Sequence, residues 1–129
     1  FYSSDTSVFN ADGIQTSRHL TEWRGNTIER WTFDEQDEVT RYESESLQKD
    51  SKGRTVVSNT DIFSGGRIRI GARDRRMTYD GPQGAISLSV TTWFDQNEQA
   101  LQRETVRHIH ERGSVVRRVR WERWSDDSP

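Results

Sequence analysis

The sequence predicts an all-β protein, an antiparallel up-and-down barrel of about 8 to 10 short strands joined by hairpin connections. Three observations carry this. Apolar and polar residues alternate with period two, as in Arg67-Ile68-Arg69-Ile70 and in Ile86, Leu88, Val90 and Phe94 set against Ser87, Ser89, Thr91 and Trp93. Turn chemistry recurs about every 8 to 12 residues. No segment is long enough for a crossover, so neighbours in sequence are expected to be neighbours in the sheet.

Taken in order, Phe1 to Phe9 is extended and Asn10-Ala11-Asp12-Gly13 turns it, Asp-Gly being suited to positive φ. Ile14 to Trp23, the turn Arg24-Gly25-Asn26 and Thr27 to Phe33 follow, the last with Thr27, Glu29, Trp31 and Phe33 on one face. Acidic Asp34 to Glu38 closes that hairpin, Val39 to Leu47 runs back, and Gln48 to Gly53 is a polar loop holding both lysines. Arg54 to Phe63 ends at Ser64-Gly65-Gly66, and Arg67 to Ile70 is followed by an expected short turn at Ala72 to Asp74. Arg75 to Tyr79, the turn Asp80-Gly81-Pro82-Gln83-Gly84 and the strand Ile86 to Phe94 come next. After Asp95 to Gln99, a terminal hairpin of Ala100 to Glu111 and Ser114 to Trp124 flanks Arg112-Gly113. Gln96 to His110 contains good helix formers, but Ala100, Leu101, Val106 and Ile109 give only a partial helical stripe, so a strand is expected. The organisation predicted is one barrel domain over 1–124 and a frayed acidic tail over 125–129.

Composition sets limits on function. Leu, Ile, Val and Phe are 4, 7, 9 and 5 of 129 residues, a thin core, yet 19 basic against 21 acidic residues leave a net charge of only −2, and 13 aromatics argue against a disordered chain. No run approaches a membrane span and no secretory signal is visible, so a soluble domain is expected. The chain opens with Phe1 rather than Met, which suggests a processed form or fragment and leaves plastid and cytoplasm both open as compartments. Zero cysteines exclude disulfides, thiolate metal sites and cysteine nucleophiles. The basic set is 17 Arg and 2 Lys, a skew that suits planar carboxylate or phosphate partners.

His108 and His110 share one strand face and are the candidate metal ligands, with Glu104 on that face; no carboxylate follows at the spacing a cupin-type site uses, and an exposed polar face is the plainer reading. Arg117 to Trp124 interleaves cations with indoles as a single-strand nucleic-acid surface does. In a strand that cluster splits between two faces, and a pI near 5.9 argues against nucleic acid as a partner. No nucleophile motif, phosphate loop or distinctive acid and base pair stands out.

From Ile86 to Trp121 the chain resembles a lipocalin-type, or calycin, small barrel, in particular the phycobilin-lyase-like forms of photosynthetic microbes and plastids. The residues that carry the likeness are Ile86-x-Leu88-x-Val90, the turn entry Trp93-Phe94-Asp95, Leu101-x-Arg103 and a hairpin ending Val119-x-Trp121. The resemblance implies an enclosed lipid or tetrapyrrole-type pigment, and the Gly-x-Trp opening usual in lipocalins is missing.

The functional expectation is a non-enzymatic binding protein for a small amphipathic or anionic ligand. Trp31, Phe33, Trp93, Phe94 and Trp121 would supply apolar walls, and Arg103 and Arg107, inward if Leu101 and Ile109 are inward, would meet the charge. Two alternatives stand beside it. One is a subunit of a larger protein assembly, since Arg and Trp are enriched at interface hot spots; the other is a pigment lyase or isomerase using the same cavity.

Overall fold

The computed structural model describes residues 2–124; the expected acidic tail, 125–129, lies outside the described residues. The fold is all-β and up-and-down. Nine strands follow one another: β1 (Tyr2–Phe9), β2 (Gln15–Arg24), β3 (Thr27–Phe33), β4 (Val39–Lys49), β5 (Thr55–Ser64), β6 (Arg69–Thr78), β7 (Leu88–Asp95), β8 (Ala100–Glu111) and β9 (Ser114–Arg123). Each pairs antiparallel with the next, in the order β1 through β9, forming one sheet. A single 3-10 turn, Pro82–Gly84, interrupts the β6–β7 connection.

Nine strands replace the ten suggested by the turn signals because Ala72 to Asp74 is not a turn. Ala72, Arg73 and Asp74 pair in unbroken register with Phe94, Trp93 and Thr92, so β6 runs straight through a segment whose small and acidic residues mimic turn chemistry. Ala100–Glu111 is a strand. Its helix formers yield to ladder hydrogen bonds on both sides, tertiary pairing overriding local propensity.

Local chemistry repeats at the hairpin ends. Five turns begin with Asn10, Asp34, Asp50, Ser64 and Asp95, and in each the first residue's N–H donates to the carbonyl four residues on at 2.8–2.9 Å. The fourth residue, Gly13, Asp37, Gly53, Arg67 or Glu98, is left-handed, with φ between 58° and 79°. In the Asn and Asp cases one side-chain oxygen, Oδ1, accepts from the N–H groups two and four residues later at 2.8–3.0 Å. Each turn is accompanied by a register shift in the adjoining ladder. These are the features of a type I turn closed by a bulge residue, which adds strand twist. Phe9, Phe33, Phe63 and Phe94 each stand immediately before four of these turns, all at one end of the sheet.

The expected closure into a barrel is not present among the described residues. β1 pairs only with β2 and β9 only with β8, so the two end strands do not meet. Among the described residues, the strand pairs in extended contact are sequence neighbours. The exposed surface is 9082 Å², against about 7,100 Å² for an average compact monomer of 15.1 kDa. One row across all nine strands, Tyr2, Trp23, Ile28, Glu45, Thr60, Arg73, Trp93, Gln102 and Arg123, gives the physical reason. Closing the sheet around this face would desolvate its charged groups, Glu45, Arg73 and Arg123.

Ile28, Ile62 and Val106 are the buried apolar residues of the described chain, all on this first face. Ser58, Thr60, Ser89 and Thr91 are buried there too. Short hydroxyl side chains are covered because Glu45, Arg73, Arg75 and Trp93 stand next to them in the ladder and are far longer. The alternation in β7 therefore runs opposite to an apolar-inside pattern: Ser89 and Thr91 are buried, Leu88 and Val90 half-buried.

Candidate functional site

The second face carries an aromatic ladder. Trp31 of β3, Tyr42 of β4 and Phe63 of β5 are register partners, and their ring centroids are 5.4 and 5.7 Å apart. Aromatic residues directly opposite one another on a pleated face contact over their full length, which is why this row is held in place without a second layer. Burial pushes the Tyr42 phenol above its ordinary value, and the Glu29 carboxylate beside it adds to the rise.

Two turns extend this floor into a groove of about 1020 Å³. Asp34, Glu38 and Val39 form one lip and Ser64, Gly65, Gly66 and Arg67 the other. Gly65 lies so close to β4 that a Cβ built on it would fall 1.9 Å from the Val39 carbonyl oxygen, so only glycine allows the β5–β6 turn this approach. The groove is apolar at its base, acidic on one lip and carries one cation, Arg67. It suits an amphipathic molecule better than an anionic one.

The residues expected to bind ligand are not brought into one site, although Trp93 and Trp121 stack on each other at 5.7 Å. Trp31, Phe33, Phe94, Arg103 and Arg107 belong to the second face, Trp93 and Trp121 to the first. Of the seven, only Trp31 lines the groove. Phe33 is covered by the Arg18 guanidinium, 4.9 Å from the ring centroid, and Arg103 lies over the Trp124 ring at 5.4 Å. Arg103 and Arg107 share a face with Ile109, opposite the face of Val106, which is two per cent exposed; Leu101 sits at the bulge beside Trp93/Phe94 and is exposed. Tyr42 and Phe63 were not singled out from the sequence as site residues, although Phe63 directly precedes a turn of the repeated kind, at Ser64.

The first face has a polar centre. Arg30 donates to Glu45 at 2.8 Å, and the Ser58 hydroxyl donates to the other Glu45 oxygen. Burial raises the Glu45 carboxyl, but Ser58 and Arg30 outweigh it and hold the group below the ordinary glutamate value. Arg30 Nη1 and the Thr60 hydroxyl are buried without a hydrogen-bond partner.

His108 and His110 do share a face, as their spacing predicts, but each has a local role. His110 Nε2 lies 2.9 Å from the Ile86 carbonyl oxygen and so donates to it, packing its ring against Gly81 in the β6–β7 loop. Burial, then Arg117, His110 and Arg75, lower the His108 pKa. Among the described residues no group of three or more His, Asp or Glu side chains converges on a common point. None of the described helical segments is long and apolar enough to cross a membrane.

The terminal hairpin forms a separate feature. Between Ala100 and Arg123 there are seven arginines against three glutamates, in a chain of net charge −2. Arg118 stands opposite Arg107 and Arg117 opposite His108, so β9 finds no carboxylate directly across from either cation. Comparison with known protein families, curated proteins and solved structures returns no match for this chain.

Proposed function

We propose that this chain is a non-catalytic interaction module, a β-sheet unit whose surface is completed by a partner within a larger protein assembly. The observation that supports it is the open single layer: among the described residues, nine strands with two faces uncovered and two edges without a neighbouring strand. Bare edges present unpaired N–H and C=O groups, and exposed apolar side chains such as Tyr2, Phe9, Val116 and Trp121 gain from being covered. Hydrogen exchange by mass spectrometry, on the isolated chain and on the chain recovered with its assembly from the native source, tests this. Amides of β1 and β9 are expected to exchange fast in isolation and slowly in the assembly. Slow exchange of both edges in a monomer would mean that the sheet closes on itself, and would replace this reading with a lipocalin-like barrel.

The aromatic groove favours a second reading, a binding site for a small amphipathic ligand of the lipid or pigment class. Its volume sits at the upper end of the roughly 300–1,000 Å³ typical of ligand sites. Native mass spectrometry with an absorption spectrum of gently purified protein checks it. A stoichiometric extra mass that is lost in Trp31→Ala supports it, and a bare mass in the unaltered protein rejects it.

A further inference from the structure

We propose that the free edge of β9 is a docking site for an extended, acidic segment of a partner protein, which adds to the sheet as a tenth strand. The proposal rests on the interaction-module reading and names the chemistry of its partner.

The edge itself is the first support. β9 runs Ser114–Arg123 in unbroken register with β8, whereas β1, at the other edge, is bulged at Val8/Phe9. β9 contains no proline. Edge strands in isolated proteins are normally blunted by bulges, prolines, short length or charged side chains; β9 has only the last, its arginines, which repel a like-charged strand but not an acidic one. Its free hydrogen-bonding groups can be assigned. The hairpin closes through the two-residue turn Arg112-Gly113, with φ of 48° and 80°, and Trp124 N–H donates to the Leu101 carbonyl. Antiparallel pairing alternates, so the N–H groups of even-numbered residues in β9 face β8 and those of Val115, Arg117, Val119, Trp121 and Arg123 face outward.

Charge selects the occupant. Arg117 and Arg123 lie on one face of the strand, Arg118 and Arg120 on the other, and among the described residues the ion pair on β9 is Arg120 with Glu122 at 4.0 Å. Apolar residues alternate with them: Val115, Val116, Val119 and Trp121 are 48–53% exposed. A strand laid alongside would place its own side chains directly opposite these, and carboxylates on both of its faces would relieve the accumulated positive charge. A second copy would offer β1, which carries a single carboxylate, Asp5, already held by Arg18 at 2.8 Å. Nucleic acid would leave the outward N–H row without backbone acceptors in register, and Trp121, the indole at its centre, is stacked on Trp93 rather than free to receive a base. An acidic β-strand satisfies backbone, charge and apolar side chains together.

The test uses the full chain and three probes: a capped peptide alternating Glu with Val, the same peptide with Lys for Glu, and a single-stranded oligothymidylate. Binding is followed by Trp fluorescence and by hydrogen exchange. The Glu peptide is expected to bind, to weaken as salt is raised, and to protect the outward amides of β9. Val119→Pro removes an outward N–H while sparing the bonds to β8 and should weaken binding by roughly tenfold or more. Arg117→Glu with Arg118→Glu should transfer preference to the Lys peptide, which guards against misfolding of the proline variant. No binding of the Glu peptide, equal binding of the Lys peptide, protection by protein concentration alone, or tighter binding of the oligothymidylate without β9 protection each overturns it. If the peptide fails while β1 and β9 are still protected in the native assembly, the partner chemistry is wrong and the module reading stands; if β9 is protected in the monomer, both fall.

Discussion

Trp93 of β7 and Trp121 of β9 stack across the intervening strand β8, with centroids 5.7 Å apart and planes 24° from parallel. Their backbones are two strands apart, so the indoles pass over Gln102 and Glu104, the register partners between them. In a sheet without a second layer, this contact fastens the terminal strand to something other than its hairpin neighbour. A double-mutant cycle with Trp93→Leu and Trp121→Leu, read by urea denaturation, should give a coupling of about 0.5–1.5 kcal/mol. Coupling near zero would mean that the two rings contribute independently and that β9 is held by its ladder alone.

Stability should fall with acid in two separate windows. His108 has a lowered pKa in the folded state, from burial and then from Arg117, His110 and Arg75, so the unfolded chain binds its proton more readily. Stability is therefore lost as pH falls below the ordinary histidine value of about 6.5. Glu45, Asp5 and Asp50 have folded pKa values below normal. Their contribution is present above the ordinary carboxylate range and is lost as pH falls through about 4 and below. His108→Gln should flatten the upper window alone. Glu45→Gln should reduce the lower one and cost about 1–3 kcal/mol at neutral pH, because the half-buried Arg30 loses its counter-charge. Thermal midpoints measured across pH for the three proteins separate these effects.

Strand identity was legible in the sequence where a hairpin turn and period-two alternation agreed, as at Asn10 to Gly13 and in β7, but not at Arg67-Ile68, whose alternation with Arg69-Ile70 belies their place in the β5–β6 turn. Face assignment was not, for a physical reason visible at two places. Each bulge beside a turn flips the phase of the alternation, so Leu101 cannot be placed by counting from Ile109, whereas Arg103, inside the unbroken register, can. And burial in a single layer follows the height of neighbouring side chains rather than polarity, which is why Thr60 is one per cent exposed while Ile70 is 45% exposed. The open edges were not legible at all, since up-and-down order is common to a barrel and an open sheet. The groove had a signal that was available: Phe33-Asp34 and Phe63-Ser64 are two instances of one turn motif, and the aromatic ladder lies beside both.

The shared turn geometry makes its residues interchangeable in a predictable sense. Asp95 Oδ1 holds the N–H groups of Asn97 and Gln99 at 2.8 and 3.0 Å, so Asp95→Ala should destabilise by about 1 kcal/mol, the exposed turn regaining water at both donors. Ser64 makes only one such bond, 3.3 Å long, from Ile68 N–H. Ser64→Asp should therefore stabilise, by a few tenths to about 1 kcal/mol. Denaturant midpoints that move in opposite directions for the two variants support a common turn mechanism. A loss in both would show that Ser64 is tuned to its own surroundings.

Gly65 sets the depth of the aromatic groove. A Cβ there would meet the Val39 carbonyl carbon at 2.9 Å as well as its oxygen at 1.9 Å, and both are backbone atoms that cannot rotate away. Gly65→Ala should push the β5–β6 turn off β4, widen the space above Trp31, Tyr42 and Phe63, and cost roughly 1–3 kcal/mol from overpacking. Arg67 in the same turn is left-handed at φ 63°. Arg67→Gly relieves that conformation without touching β4, and is expected to stabilise by roughly 0.5–1 kcal/mol. The two changes sit two residues apart and should move the thermal midpoint in opposite directions. Only Gly65→Ala should raise the quenching of Trp31 fluorescence by iodide. If both variants destabilise and neither alters quenching, the turn does not wall the groove and the ligand reading loses its site.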